Sequence, residues 1–345
     1  MEMNLNKSQV SWKSPSNIAL IKYWGKYDNQ IPMNPSISFT LDKCSTITSV
    51  KFEKSNEFSY NFFFENKSKP EFIPKLDVFF SRINEHLPSL SKLKLTINSS
   101  NSFPHSSGIA SSASAFSSLA LCLTEIESMF SDLIDNENFF EKASFISRLG
   151  SGSASRSVYG PLSCWGETEL YEQSADEYAI PIKMSNHEFP IFCDTILIVD
   201  SGTKKVSSTI GHKLMDDHIF KKERISQSHL NFSKLKKSID SNDLDSFIEV
   251  VENEALTLHA LMMTSNPNFI LFKPNTINII NLVVKFREET GTKVCFTLDA
   301  GANVHLLYPK NSFEKIQEFI KKSLAHFCHD GEYINDQIGL GPQKN

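Results

Sequence analysis

The first half of the chain alternates hydrophobic and polar residues in several short stretches. TITSVKFE and SYNFFFEN are rich in β-prone residues, and KLKLTIN places Leu93, Leu95 and Ile97 at every second position. Because side chains of a strand point alternately to opposite faces, this pattern predicts a half-buried antiparallel sheet. Farther along, the apolar residues take helical spacing, at Phe116, Leu119, Ala120, Leu123, Ile126 and Phe130. A strand is therefore expected to lead through a serine-rich loop into a helix.

The second half is dominated by helical spacing and begins with a continuous apolar run. TILIVD, residues 195–200, predicts a buried strand that opens a second unit. One later helix is expected to end at Gly291, and another to begin with Asn311 as N-cap and Glu314 three residues on. Between these helices, residues 293–309 predict a strand, a turn and a second strand.

Length and charge limit the kind of protein that this chain can be. Its 345 residues exceed what one ordinary core serves and favour two domains, which we place at residues 1–190 and 191–345. The net charge of -5 gives no general reason to bind nucleic acid, so an anionic ligand must be met by a local basic site.

The sequence has no apolar run long enough for a membrane span and no signal-peptide core. Its six scattered cysteines form no C-x-x-C pair, which indicates reduced thiols. We therefore expect a cytoplasmic protein without nucleic-acid or membrane partners.

The serine-rich stretch SFPHSSGIASSASAF lies where the predicted strand passes into the helix. Between Pro104 and Ser112, small residues let backbone N–H groups approach a phosphate, and a helix N-terminus adds the positive end of its dipole. An ordinary serine-rich turn, with Ser111 or Ser112 as helix N-cap, explains the composition equally well. The chain contains no G-x-x-x-x-G-K-[ST] segment, which excludes a Walker-type phosphate loop.

Four further segments carry candidate chemistry. KYWGK, residues 22–26, packs two ammonium groups and two aromatic rings into five positions, which favours an anion pocket over a solvated edge strand. GSGSASR ends at Arg156, whose guanidinium can hold a carboxylate or a phosphate through two hydrogen bonds; a flexible linker has a similar composition. SGTKKVSSTIGH, residues 201–212, again joins lysines to hydroxyls before a helix. Asp299 ends an apolar strand just before Gly301, where a buried functional carboxylate and a turn-capping aspartate both fit.

Five segments in this order resemble the GHMP kinase superfamily and, within it, the mevalonate diphosphate decarboxylase family. They are NIALIKYWGK, FPHSSGIASSASAF, GSGSASRSVYG, KKVSSTIG and LDAGAN, and the resemblance runs from about Ser14 to about Pro309. It implies a two-domain α+β fold, with a ribosomal S5 domain 2-like N-terminal domain and a ferredoxin-like C-terminal domain. It also implies ATP-dependent decarboxylation of mevalonate 5-diphosphate to isopentenyl diphosphate in the mevalonate pathway of isoprenoid biosynthesis. ATP and Mg²⁺ would be the cofactors, and a homodimer the assembly.

The resemblance also assigns roles to residues at the matching positions. Asp299 corresponds to an acidic residue at the substrate's 3-hydroxyl, as general base or as an electrostatic group, and Lys26 to the lysine beside it. Arg156 corresponds to the arginine that holds the substrate carboxylate, with Asn17 next to it. Further substrate-binding residues are expected at Lys22, Tyr23, Trp24, Ser151, Ser153, Ser207 and Ser208. The ATP-binding residues are expected at Pro104, Ser107, Gly108, Ile109, Ala110, Ser111 and Ser112. Mg²⁺ would be carried by ATP near Ser111 and Ser112, without a metal site of the protein itself.

The chain departs from the usual family pattern at two places, and other functions remain open. It has PHSSG at residues 104–108 where the family usually has Pro-Thr-Ala-Ala-Gly, and Ala302 where the family usually has proline. One alternative is a mevalonate or phosphomevalonate kinase that stops after phosphoryl transfer, and another is a non-catalytic binding protein on the same fold. The presence of Asp299, Lys26 and Arg156 together favours the complete reaction, because kinase-only relatives tend to lack part of this set. It also disfavours a binding protein, because a decayed site should first lose its isolated charged residues.

Overall fold

A computed structural model of the chain describes residues 8–104, 109–131, 138–184, 189–202 and 208–345, with only the backbone at 208 and 209. Three predicted site residues, Ser107, Gly108 and Ser207, lie outside these ranges. The chain forms two sheets, each with its own helices, which agrees with the predicted α+β fold class. None of the helices described here is both long and apolar enough to cross a membrane.

The N-terminal unit is built on a mixed sheet. Its elements are β1 (Gln9–Ile21), β2 (Ser36–Lys54), β3 (Ser59–Phe64), β4 (Lys67–Ser68), α1 (Ile73–Ile83), β5 (Leu93–Asn101), α2 (Ser111–Ser128), α3 (Phe139–Gly150), β6 (Leu162–Trp165) and β7 (Ala179–Pro181). The alternation in β5 is confirmed, since Leu93, Leu95 and Ile97 are all buried. β5 pairs antiparallel with β2 but parallel with β3, because α1 carries the chain back across the sheet before β5 begins. The expectation of a purely antiparallel sheet therefore fails at β3.

The serines beyond the loop have a packing role in α2. This helix is buried along most of its length, and its serines hydrogen-bond to hydroxyls of the sheet beneath it. Ser114 Oγ lies 2.7 Å from Thr46 Oγ1, and Ser118 Oγ lies 2.6 Å from Thr48 Oγ1. Each hydroxyl thus finds a partner where an unpaired one would cost free energy. Part of the serine enrichment is therefore explained by close packing of a helix on a sheet.

The C-terminal unit contains an antiparallel sheet and most of the long helices. Its elements are β8 (Phe192–Leu197), α4 (Ser208–Lys213), α5 (Lys221–Asp240), α6 (Leu244–Thr264), α7 (Pro274–Thr290), β9 (Cys295–Thr297), β10 (Val304–Pro309), α8 (Phe313–Phe319), β11 (Tyr333–Gln337) and β12 (Gln343–Lys344). The buried strand is confirmed and begins at Phe192, and Gly291 ends α7 with a φ of 65°. The N-cap of α8 is Ser312, not Asn311, because Asn311 lies in a short 3-10 turn.

The two units share a core and a sheet edge. The Phe39 ring of β2 lies 5.9 Å from Phe192 of β8 and 6.3 Å from Phe247 of α6, measured between centroids. β12 returns to the first unit and pairs antiparallel with β1, placing Lys344 opposite Trp12. Contacts between the two units therefore lie along β1 and β2. The division near residue 190 stays a prediction.

Candidate active site

An ion pair between Lys22 and Asp299 lies at the junction of the two units. β1 ends at Ile21, and the Lys22 side chain turns back so that its Nζ donates to the Ala19 carbonyl at 2.7 Å and to Asp299 Oδ1 at 3.1 Å. The Lys22 side chain is 2% exposed, whereas that of Asp299 is 27% exposed. A buried ammonium thus holds a carboxylate that a ligand can still reach.

The lysine that pairs with Asp299 is Lys22, which corrects the prediction of Lys26. Gly25 has a φ of 93°, which a side chain rarely permits, and it turns the chain after the strand. Lys26 then forms an isolated β-bridge with Pro32, and its Nζ donates to Gln30 Oε1 at 2.6 Å. The turn therefore separates two lysines that look equivalent in the sequence.

Arg156 lies beside Asn17, as predicted, and both are buried. The Arg156 guanidinium donates from Nη2 to Asn17 Oδ1 at 3.3 Å and from Nη1 to Ser36 Oγ. Asn17 is fixed in turn, because its Nδ2 donates to the Ser153 carbonyl at 3.1 Å and to Ser157 Oγ at 2.7 Å. Among the described residues, Arg156 Nε has no hydrogen-bond partner, so the guanidinium retains a donor for a ligand.

Burial and charge act in opposite directions on the two cations of this site. Burial lowers the pKa of Lys22, and the carboxylates of Asp299 and Glu254 offset part of that effect. Burial also lowers the pKa of Arg156 to about 10, again against the attraction of Asp299. Arg156 therefore stays charged at neutral pH. Two cations around one carboxylate suit a ligand that carries several negative charges.

Tyr23 contributes a buried hydroxyl that lies against Gly152. The ring packs edge-on against Trp165 with 4.7 Å between centroids. Burial raises the pKa of Tyr23, so its hydroxyl stays protonated, and it has no hydrogen-bond partner in the described part of the chain. A Cβ atom at Gly152 would lie 2.8 Å from that oxygen and 2.7 Å from Trp165 Cη2. Only glycine leaves room for the ring at this point.

We expect Gly152→Ala to raise the KM for the substrate by about tenfold, roughly 1.4 kcal/mol in binding. The added methyl group would push the Tyr23 hydroxyl and the Trp165 ring away from the site, because both contacts are shorter than real Cβ atoms show. Steady-state kinetics alongside a thermal melt would separate this effect from unfolding. An unchanged KM would show that Tyr23 does not touch the substrate.

Two histidines that border the site were not among the predicted site residues, although His212 ends the segment SGTKKVSSTIGH. His212 of α4 accepts the Gly25 N–H at Nδ1 over 3.0 Å, and its ring lies 4.3 Å from that of Tyr23. Burial lowers the pKa of His212 to about 3, so the ring is neutral. His259 of α6 places its Nε2 3.2 Å from the Asp299 carbonyl oxygen. Neither His212 nor His259 was predicted as a site residue, and only the fold shows that each borders the site.

Trp24 packs among apolar side chains, and its assignment as a substrate ligand stays a prediction. Its side chain is 5% exposed and packs in an apolar cluster that includes Met33, Met215 and Leu258. Its indole also lies 4.7 Å from the ring of His212. Trp24 therefore packs against His212, whose ring in turn contacts Tyr23 of the site.

The serines of the third segment border the start of α2. Ser151 Oγ lies 3.3 Å from Ser112 Oγ, while the Ser153 carbonyl holds Asn17. Ser208 is the first residue of α4. Their assignment as substrate ligands stays a prediction.

The serine-rich loop enters α2 through a left-handed residue. Ala110 is the N-cap, with φ 43° and ψ 41°, a conformation that costs a non-glycine residue about 1–2 kcal/mol. Its methyl group cannot cap the first N–H groups, and Ser111 and Ser112 lie inside the helix, so the ordinary turn with a serine N-cap is excluded. Ile109 is buried, and its carbonyl accepts from Ser16 Oγ at 2.6 Å, whereas Pro104 is exposed. Within the described residues no side chain caps the start of α2, and an anion could take that place.

An apolar cavity of about 250 Å³ adjoins the start of α2. Phe62, Phe64 and Phe72 line this cavity, and so do Ser111 and Ser112 of the first turn of α2. The lining suits an aromatic group with phosphates attached to it. No sequence pattern indicates this cavity, because its aromatic residues come from separate elements.

Fold and site together define the class of protein. The start of α2 adjoins an aromatic cavity, and buried cations hold a carboxylate at the junction of two α+β units. This is the arrangement of an enzyme with the GHMP kinase fold. The chain matches the diphosphomevalonate decarboxylase-like N-terminal domain over residues 14–177 and the mevalonate 5-diphosphate decarboxylase C-terminal domain over residues 195–339.

Relatives and solved structures agree with these domain matches. The chain is 31% identical to the diphosphomevalonate decarboxylase of Saccharomyces cerevisiae, covering 91% of this chain and 81% of the relative, and 29% identical to the human one, covering 85% and 75%. A crystal structure of mevalonate diphosphate decarboxylase from Staphylococcus aureus is 28% identical with a TM-score of 0.84, and 98% of each chain is covered. A structure of MDDEF in complex with MVAPP, AMPPCP and magnesium is 26% identical with a TM-score of 0.83, again over 98% of each chain. This chain belongs to the diphosphomevalonate decarboxylase family, which confirms the resemblance and the fold class read from the sequence.

Proposed function

We propose that the chain catalyses the ATP-dependent decarboxylation of mevalonate 5-diphosphate to isopentenyl diphosphate, with release of ADP, phosphate and CO2. The Lys22–Asp299 pair beside the buried Arg156 carries this proposal. The substrate presents a diphosphate, a carboxylate and a tertiary alcohol, so its site must gather cations and hydroxyl groups around one carboxylate. That is the set of groups found where the two family domains meet.

Asp299 is placed to accept or orient the proton of the 3-hydroxyl as this oxygen takes the phosphoryl group from ATP. The Lys22 ammonium donates to one oxygen of that carboxylate, and the Asp299 side chain is 27% exposed, so a ligand can reach it. Lys26, on the far side of the Gly25 turn, remains the proposed contact of the transferred phosphate. Positioning and charge neutralisation of this kind account for most of the catalysis of phosphoryl transfer.

Arg156 is proposed to hold the substrate carboxylate without protonating it. As the C3–O bond to phosphate breaks, positive character develops at C3. The electron pair of the bond to the carboxylate carbon then forms the alkene, and CO2 leaves. The guanidinium keeps the carboxylate ionised and oriented for this step, because its own hydrogen bonds to Asn17 and Ser36 prevent it from turning.

The residues at the start of α2 fit a nucleotide. Ser111 and Ser112 offer hydroxyl groups and the backbone N–H groups of the first helical turn to the phosphates, and the aromatic cavity fits the base. Mg²⁺ bound to the phosphates would supply charge neutralisation at the transferred phosphoryl group. Within the described ranges, no group of three or more His, Cys, Asp or Glu residues could hold a metal ion, so the phosphates themselves are its proposed ligands.

We expect Ala115→Leu to raise the KM for ATP by about tenfold and to leave the KM for mevalonate 5-diphosphate unchanged. Ala115 lines the aromatic cavity on α2, so a larger side chain would fill space proposed for the base. Ala260→Leu is the matched control, since Ala260 is an exposed helical alanine of α6. Equal ATP affinity in both variants would place the base elsewhere.

The experiment that tests the function is an ADP-release assay on the purified protein with ATP and Mg²⁺. Mevalonate, its 5-phosphate and its 5-diphosphate are supplied in separate reactions, and labelled CO2 is trapped in parallel. The proposal requires ADP and CO2 in equal amounts with the diphosphate only. ADP without CO2 would identify a kinase, and an absence of turnover with all three would identify a binding protein. A homodimer and a cytoplasmic location stay predictions.

A further inference from the structure

The backbone of Lys22 is held by a buried ion pair that comes from the other unit. Arg224 of α5 and Glu254 of α6 form two hydrogen bonds of 2.7 Å each, and their side chains are 1% and 0% exposed. Glu254 Oε2 accepts the Lys22 N–H at 2.8 Å, and Arg224 Nη2 donates to the Lys22 carbonyl, also at 2.8 Å. Asn34 Nδ2 donates to the same carbonyl at 3.0 Å. We refer to the Arg224 and Glu254 side chains together as the clamp.

The position of Lys22 explains why its backbone needs such partners. The pairing of β1 with β2 ends at Ile21 opposite Ile37, so the peptide groups of Lys22 have left the sheet. Apolar side chains could fill the same volume, and a buried ion pair is often no more stabilising than such packing. The clamp differs from apolar packing in one respect, because it fixes both peptide groups that flank the Lys22 side chain.

We propose that Arg224 and Glu254 are positioning residues that aim the Lys22 ammonium at Asp299 during the reaction. The ammonium has three N–H donors, and two of them are used, by the Ala19 carbonyl and by Asp299 Oδ1. In the described part of the chain the third donor has no partner, and we assign it to the substrate. A shift of the clamped backbone by a few tenths of an ångström would move all three donors at once. This inference rests on the proposed function and adds two residues that lie outside the substrate pocket.

The charge of Glu254 gives the clamp a second effect, on the pKa of Lys22. The groups that face Lys22 are Asp299 after β9, Glu254 and His259 of α6, Arg224 of α5, Asp194 of β8, and Arg156. Burial lowers the pKa of Lys22, and Glu254 acts in the opposite direction. Loss of the Glu254 carboxylate therefore lowers that pKa further. Without the Glu254 carboxylate, the reaction rate would therefore fall at a lower pH than in the wild type, because Lys22 would lose its proton there.

The first test is Glu254→Gln, compared with the wild type across alkaline pH. The amide keeps the size of the side chain but removes the charge and one of the bonds to Arg224. It also removes the other bond that the replaced oxygen accepts, from Asn231 or from the Lys22 N–H. We expect kcat to fall at least tenfold, with the alkaline limb of kcat/KM displaced to lower pH and with little change in the KM for ATP. A purely structural pair would lower the melting temperature and leave kcat on the pH plateau near the wild-type value.

A double variant keeps the test decisive if Glu254→Gln folds poorly. Arg224→Met with Glu254→Leu removes both charges together, so no charge is left buried and unpaired. The matched control is Arg287→Met with Glu252→Leu, which removes another Arg–Glu pair of α6 and α7 that does not touch Lys22. The clamp predicts at least a tenfold loss of kcat in the first double variant only.

Equal losses in both double variants, or wild-type kcat in the first, would overturn the inference. The wild type assayed in parallel keeps this result separate from the proposed function. If the wild type itself gives no CO2 from mevalonate 5-diphosphate, the proposed function fails. If the wild type is active and the first double variant matches it, only the clamp fails.

Discussion

Asp299→Asn is expected to lower turnover of mevalonate 5-diphosphate by about 10²- to 10⁴-fold, the contribution of a positioned general base. The amide cannot accept a proton from the 3-hydroxyl, and it no longer attracts the Lys22 ammonium that holds the carboxylate at 3.1 Å. ATP binding should persist, because the start of α2 is built by another part of the chain. Single-turnover ADP release and nucleotide binding by fluorescence would measure the two quantities separately.

The matched control for this variant is Asp200→Asn in the same unit. Asp200 lies 3.2 Å from Lys273 at the surface, so its loss removes a lysine–aspartate pair without touching the site. Exposed pairs of this kind contribute little to stability. Turnover within a few-fold of the wild type is expected for Asp200→Asn, and the same result for Asp299→Asn would remove that residue from the mechanism.

Arg156→Lys is the second substitution with a large expected effect, a loss of about 10²-fold or more in kcat/KM for mevalonate 5-diphosphate. Lysine keeps the positive charge but lacks the planar fork that binds Asn17, Ser36 and a carboxylate at the same time. The substrate carboxylate would then lose both an orienting contact and a fixed direction for CO2 to leave. Parallel measurement of ADP and CO2 shows which of the two products falls first.

Arg287→Lys serves as its control, since Arg287 also binds a carboxylate with two nitrogens but lies on α7 against Glu252. That exchange should change the melting temperature by a few degrees and leave kcat/KM near the wild-type value. If Arg156→Lys behaves in the same way, Arg156 holds the fold together and does not select the substrate carboxylate.

Local sequence patterns predicted a strand or helix correctly where local features, such as one buried face or a terminal glycine, determine the element. The alternation at Leu93, Leu95 and Ile97 marks β5, and Gly291 marks the end of α7 through its left-handed backbone. The parallel pairing of β3 with β5 could not be inferred, because it depends on where α1 returns the chain. The same holds for Asn311, where a 3-10 turn displaces the helix start by one residue.

The sequence predicted which types of residue surround Asp299. It could not predict which of two lysines contacts that carboxylate, because the path of the backbone decides this. Lys22 and Lys26 are the same residue type four positions apart, and only the end of β1 and the turn at Gly25 decide which one reaches Asp299. His212 borders the site because α4 stacks it on Tyr23, a contact between residues far apart in sequence. The pairing of Arg156 with Asn17 is confirmed; it came from the family resemblance, because the two residues lie in separate segments of the sequence.

The return of β12 to the first sheet affects how the chain could be divided. Gly339 donates to the Thr40 carbonyl at 2.8 Å, and β12 then covers the outer side of β1. If the N-terminal half were produced without the last residues, the N–H and C=O groups of β1 would form an open edge next to the buried Trp12. Such edges recruit other chains, so the separate half should aggregate. Domain exchange between relatives would accordingly have to carry the C-terminal tail with the first domain.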